Sequence, residues 1–366
     1  MPIVPLFGHQ SLAGRLDASA RDGTLPASLL FHGPSGAGKQ HLALQLARTL
    51  LCVADDAPCG SCQGCRYMGE LSHPDLHWYF PRPRLKSADP DVAEISLDMG
   101  QAIQERVATN GLYPAPPGSD ALHVAAVRAM VHQASRAPAI GRRKVFVIGD
   151  ADRMAIDEDS AVAANAFLKL LEEPPDDTTL ILTSSEPGAL LPTIRSRVVA
   201  VRVPALSDAD VREFIAYPSV ATLLRAAYGD ASGASELIRL AGGRPGRLIT
   251  SEEERGAAVA AHRLVEAAAS GSRARWTRAA AALGSTKARG GFNASLEHLT
   301  VLLHERLREA VENGRDQRAV QLGQAILAVE KARDHARGNI NPQLAGMSLM
   351  RQLASALGQR RKRDAV

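Results

Sequence analysis

Between residue 28 and about residue 204, short apolar runs alternate with longer amphipathic stretches, a pattern that predicts a parallel sheet covered by helices. Four runs are nominated as strands: Ser28-Leu-Leu-Phe-His32, Lys144-Val-Phe-Val-Ile-Gly149, Thr179-Leu-Ile-Leu-Thr183 and Val198-Val-Ala-Val-Arg-Val203. Each is nearly continuous in apolar residues and bounded by turn residues or charges, which suits strands buried on both faces. Helical patterns cover Gln40 to Leu51 and Ala161 to Glu173. In the second, Val162, Ala166, Phe167, Leu170 and Leu171 share a packing face, and Pro174-Pro175 stops the helix.

After Pro204 the strand signal ends. Residues 205–255 read as a few short helices, opening at an N-cap on Ser207 or Asp208. From 256 to 366 the pattern is helical throughout: Leu296, Leu299, Leu303 and Leu307 mark one apolar stripe, and Leu322, Ile326 and Val329 another, as in an antiparallel bundle. The expected fold class is therefore α/β followed by all-α. Residues 82–118 interrupt the first part with Pro, Gly and Asp, and read as an inserted surface excursion holding one amphipathic helix from Leu97 to Ala108. The terminal Gln359-Arg-Arg-Lys-Arg-Asp364 reads as a solvated tail, with nucleic-acid contact as the alternative.

Composition narrows the class without naming a chemistry. The 366 residues are 45% hydrophobic and 22% charged, which excludes a disordered or fibrous chain, and only 4% are aromatic, so the cores rest on Leu, Val, Ile and Ala. A net charge of +4 permits nucleic-acid contact but does not argue for it. The start has no basic n-region, and no apolar run reaches about 18 residues, so a soluble cytoplasmic protein is expected.

Two loops carry candidate chemistry. Gly33-Pro-Ser-Gly-Ala-Gly38-Lys39 follows a strand and opens a helix, the context of a phosphate-binding loop. Backbone N–H groups of Gly33, Pro34, Ser35, Gly36, Ala37 and Gly38, where present, would wrap the phosphates, and Lys39 adds a point charge. The bland alternative is a Gly-rich turn. Gln40 stands where a Ser or Thr hydroxyl would ligate Mg²⁺, and its longer amide would have to bend back to do so. Val145-Phe-Val-Ile-Gly-Asp150 ends in the carboxylate that would hold Mg²⁺ from across the site, but Ala151 follows where a water-activating Glu is needed. On an extended chain Asp152 leaves on the opposite face to Ala151, out of reach of that water. Loss of a general base costs ~10²–10⁴ in rate, so weak or absent ATP hydrolysis is expected.

The second loop holds all four cysteines as Cys52-x6-Cys59-x2-Cys62-x2-Cys65. Four thiolates predict a closed, structural Zn²⁺ site; a redox pair would leave two cysteines without a role. Further on, Thr183-Ser184-Ser185 is either a γ-phosphate contact or a satisfied strand end. Arg195 and Arg197, in Leu191-Pro-Thr-Ile-Arg-Ser-Arg197, are either solvated or able to stabilise phosphoryl charge in a neighbouring subunit.

Taken together, these residues resemble the clamp-loader branch of the AAA+ ATPases, within it the delta-prime family. The likeness runs through Phe7-Gly-His-Gln10, the phosphate loop, the cysteines, Asn165-Ala-Phe-Leu-Lys-Leu-Leu-Glu-Glu-Pro-Pro175 and Ile194-Arg-Ser-Arg197, with a weaker echo in Asn341-Pro-Gln-Leu344. It implies a nucleotide-binding domain (1–204) with a zinc module (52–65) and insertion (82–118), a helical lid (205–255) and a helical collar (256–366). It further implies a stator that presents Arg197, with Arg195 as runner-up, to an adjacent gamma/tau-type motor. Val198 replaces the Cys that often follows this arginine. Gamma/tau and delta subunits, the sliding clamp and primer–template DNA would be the partners of the assembly. The alternative is a gamma/tau-type motor subunit, whose Lys-Thr and Asp-Glu pairs are broken here by Gln40 and Ala151. In Gly242-Gly-Arg-Pro-Gly-Arg247, either Arg244 or Arg247 would be the second sensor.

Overall fold

In a computed structural model the chain divides into two compact units, Met1–Ile249 and Thr250–Val366. The structure describes residues 2–357 apart from 88, 115, 117–118, 120, 155–160, 229–232, 250–251, 285–288 and 338–341. The basic tail and Asn341 lie outside the described residues.

The first unit is built on a five-stranded parallel sheet: β1 (Ser28–His32), β2 (Leu76–Tyr79), β3 (Lys144–Ile148), β4 (Thr178–Ser184) and β5 (Val199–Arg202), in the order β2-β3-β4-β1-β5. The register aligns Leu29 with Ile181 and Val199, and Phe146 with His77 and Leu180. β3 and β4 are buried along their whole length, as their unbroken apolar runs require. β5 departs from expectation. It pairs only with β1, and as an edge strand it is mostly exposed, with Val199 half in solvent. β2 escaped the sequence reading because it is four residues long, with His77 breaking its apolar run. In the fold His77 stacks on Phe146 at 4.5 Å, and burial holds its pKa down at about 4.

The 82–118 segment is also more than a surface excursion. Its helix spans Val92–Ala108, five residues longer at the start than expected, because Asp91 and Glu94 form a reciprocal capping box. Ile95, Met99 and Ala102 from that helix join the core under the sheet, and Arg82 forks onto Asp98 at 3.1 and 2.8 Å. Only the opposite face, with Leu97, meets water.

Helices Asp208–Ala216, Pro218–Tyr228 and Ala234–Ala241 close around Val211, Phe214, Leu224 and Ile238, and Val4 and Leu112 complete that cluster. Ser207 is the N-cap, boxed with Asp210. The second unit packs Glu252–Ala269, Arg273–Gly284, Arg289–Glu312, Asp316–Arg337 and Pro342–Leu357 around Leu296, Leu299, Leu303, Leu322 and Val329. Leu307 and Ile326 flank that core. Among the described residues no helix is long and apolar enough to cross a membrane.

Candidate functional site

Helix Lys39–Leu50 organises both candidate loops: the phosphate loop leads into its N-terminus and the cysteine loop leaves its C-terminus. Gly38 caps the start in the left-handed region (φ 93°), where a side chain would be strained. His9 holds the loop from outside through Ala37 O at 2.9 Å. The segment Pro245–Leu248 packs against it: the Gly246 N–H donates to Gly36 O at 3.0 Å, and a Cβ on Gly246 would stand 2.7 Å from Gly36 Cα.

Lys39 is buried, and its Nζ donates to Gly33 O (2.9 Å), Pro34 O (3.0 Å) and Ser185 Oγ (2.9 Å). Burial lowers its pKa, against the pull of Asp150 and Asp152. Gln40 does bend back, though onto protein. Its Nε2 donates to Asp150 Oδ2 at 3.3 Å, and its Oε1 accepts the Trp78 indole N–H at 3.1 Å. An indole can only donate and a carboxylate only accept, so this orientation of the amide is the one that satisfies both neighbours. The residue that faces the carboxamide is Gly149, where a Cβ would lie 2.6 Å from Gln40 Nε2. Asp150 is half-buried, and desolvation raises its pKa, with Lys39 opposing the rise.

The alternation argument for Asp152 fails. β3 ends at Ile148, Asp150 takes a left-handed conformation (φ 47°), and Ala151–Arg153 form a 3₁₀ turn, so the chain is no longer extended there. Ala151 is buried, while Asp152 Oδ1 accepts the Ser185 N–H at 3.1 Å on the Lys39 side. The strand end is satisfied too: Thr183 Oγ1 accepts the Asp150 N–H at 3.0 Å.

A cavity of about 270 Å³ is lined by Ser35 to Gln40, Asp150, Pro245 and Gly246, with Leu6, Phe7 and Ile249 among its apolar walls. It also holds a residue that sequence reasoning missed. Arg106, from the last turn of Val92–Ala108, lies 3.8 Å over the Phe80 ring and 5.0 Å from that of Trp78. Nothing in the local pattern marks it, since the contact joins an insertion to a strand absent from the expected set.

The four sulfurs meet as the cysteine spacing predicts, all within 4.8 Å of one another. Sγ of Cys52 is 3.6 Å from Cys59 and 3.8 Å from Cys62, and Cys59 is 4.0 Å from Cys65. These distances are far beyond a disulfide bond of about 2.05 Å. They match the edge of a tetrahedron of sulfurs, about 3.8 Å when the metal–sulfur distance is about 2.3 Å. Backbone N–H groups of Cys59, Cys62 and Cys65 point at Sγ of Cys52, Cys59 and Cys62, each at 3.4 Å. The N–H groups of Ser61 and Cys62 hold the Cys59 thiol at about 6, whereas burial pushes Cys65 to about 12.

Away from this cavity, Arg197 pairs through NH2 with Glu172, and its NH1 donates to Thr193 O at 2.8 Å; Arg195 is exposed. Pro245 and Gly246 line the cavity, while Arg247 is partly buried nearby and burial lowers its pKa.

The family described as "DNA polymerase III, delta subunit" matches residues 8–207, more than half of the sequence. The chain belongs to that family. Among this family member's relatives, the DNA polymerase III subunit delta' of Pseudomonas aeruginosa is 33% identical over 59% of this chain and 52% of its own length. The delta' subunit of Bacillus subtilis is 30% identical over 59% of this chain and 54% of its own. A gamma/tau subunit from Mycobacterium bovis is 26% identical, over 52% of this chain and 27% of its own. The chain thus spans about half the length of the delta' relatives it matches.

Proposed function

We propose that this chain is a delta-prime-type stator of a bacterial DNA polymerase III clamp loader, the ring that places the sliding clamp on primer–template DNA. Beyond family membership, the observation that carries the reading is Gln40. Its amide is bonded on one side to Asp150 and on the other to Trp78, so the two positions that would share Mg²⁺ in a motor are bonded to each other. With Ala151 in place of a general base, the chain hydrolyses little or no ATP of its own. ATP would be hydrolysed by a gamma/tau neighbour, to which Arg197 lends its guanidinium as an arginine finger.

In this reading residues 1–204 form the nucleotide-binding domain, 205–255 the lid and 256–366 the collar that joins gamma/tau and delta subunits. Cys52, Cys59, Cys62 and Cys65 hold one structural Zn²⁺. A closed set of four thiolates leaves the ion no position for substrate, so it supplies stability and no chemistry. A gamma/tau-type motor is the second reading, favoured by the gamma/tau relative and opposed by Gln40 and Ala151.

The test is ATP turnover by the reconstituted ring, with clamp and primed DNA. Arg197→Ala should cost on the order of 10³-fold at the affected site, and Lys39→Ala should leave turnover unchanged. A comparable loss from Lys39→Ala would mean that this chain hydrolyses ATP and would overturn the stator reading.

A further inference from the structure

The geometry points to metal-independent binding of a nucleoside polyphosphate in the cavity over the phosphate loop, with Arg106 carrying the charge that Mg²⁺ would otherwise supply. This rests on the reading of residues 33–40 as a phosphate-binding loop. It goes beyond that reading in the mode of binding and in a ligand from the 82–118 insertion.

Three observations converge. First, the metal's positions are taken. Gln40 has its amide oxygen on the Trp78 indole and its nitrogen on Asp150 Oδ2, so the side chain in the metal-ligand position is turned to protein at both ends. Second, the same cavity contains two cations, Lys39 from the loop and Arg106 from the inserted helix, with Asp150 between them in charge. Third, Arg106 is held but not saturated. Its guanidinium is stacked over Phe80 and flanked by the rings of Trp78 and Tyr113, while its buried Nε has no hydrogen-bond partner. Stacking uses the face of a guanidinium and leaves its in-plane N–H donors for an anion, the geometry in which arginine binds phosphate with two parallel bonds. A buried cation without such a partner is costly, and burial lowers the pKa of Arg106 to about 10. A phosphate chain would relieve that cost, and Leu6, Phe7 and Ile249 offer an apolar wall for a base.

The insertion therefore has a job in this account. Its capping box and its buried face of Ile95, Met99 and Ala102 fix the helix whose last turn presents Arg106. The nucleotide would be bound and not turned over, in keeping with Ala151.

Calorimetric titration of the full chain with ADP, once in EDTA and once in Mg²⁺, tests this. Binding in EDTA should match that in Mg²⁺, and Arg106→Met, which keeps the packing against Phe80, should weaken it by about tenfold or more. Arg106→Lys should recover only part of the loss, because an ammonium lacks the fork. Thermal melts of each variant establish that it folds. Binding that vanishes in EDTA, or that survives Arg106→Met, overturns the role of Arg106 while leaving the phosphate loop intact. Absence of ADP binding by the wild type in either buffer overturns the inference together with the phosphate-loop reading, and leaves the stator reading standing.

Discussion

The two ends of helix Lys39–Leu50 carry motifs of similar strength in sequence, and the fold treats them in opposite ways. At the C-terminal end, four sulfurs gather within 4.8 Å of one another, and the backbone N–H groups between them support negative charge there. At the N-terminal end, the groups that would hold Mg²⁺ are turned on one another and on Trp78. A polar group placed for a ligand can be satisfied by that ligand or by a neighbour. Leaving it unsatisfied is costly, since an unpaired buried donor or acceptor costs roughly 1–3 kcal/mol. The sulfurs of the cysteine loop meet one another, the Ser61 hydroxyl and backbone N–H groups, while Gln40 beside the phosphate loop has acquired Asp150 and Trp78 as partners.

The largest effect that can break this comparison lies at the cysteines. Elemental analysis of the purified chain should find one zinc per molecule, and Cys65→Ser should abolish it and lower Tm by about 10 °C, as expected when several kcal/mol of metal binding are lost from folding. A wild type that is metal-free and equally stable would place both loops in the same class.

β2 supplies the Trp78 partner of Gln40, and its His77 supplies the next test. In the unfolded chain this imidazole titrates near 6.5, and in the fold at about 4, so the unfolded state binds the extra proton between those values. The stabilisation is present above pH 6.5 and is lost as pH falls toward 4, by on the order of 3 kcal/mol from this one group. Urea unfolding at pH 7 and pH 4.5 should show a smaller acid loss for His77→Phe than for the wild type. Equal losses would remove His77 as a source of acid sensitivity.

The smallest effect sharpens the phosphate-loop side. Trp78→Phe deletes the donor to Gln40 Oε1 and should cost about 1 kcal/mol in urea unfolding, the usual worth of one such bond plus the acceptor it orphans. Gln40→Thr in the same assay should cost a similar amount, because Asp150 and Trp78 both lose a partner. If neither changes stability, the network is not what holds the metal positions closed.

Much of this was legible along the chain. The strand-loop-helix pattern placed the Gly-rich loop at the head of helix Lys39–Leu50, the cysteine spacing foretold that four sulfurs would meet, and unbroken apolar runs located β1, β3 and β4, because each signal depends on near neighbours. The misreadings share a different cause. β2 is short and carries a histidine that only a packed Phe146 makes acceptable. β5 looked buried because its composition does not reveal that it has one neighbour and not two. Asp152 was assigned by strand alternation, which a single left-handed residue at Asp150 abolished.

What the sequence determined by itself is the order of β1, β3 and β4 with the helices that follow them, and the places of the Gly-rich and cysteine loops, all set by propensity, periodicity and covalent spacing. The tertiary structure alone decided who satisfies whom. Gln40 meets Trp78 across 38 positions and Asp150 across 110, and Arg106 reaches the cavity from a helix that looked like a detour. Such pairings are chosen by the cost of burying a polar group unpaired, and that cost exists only once distant segments have excluded water together.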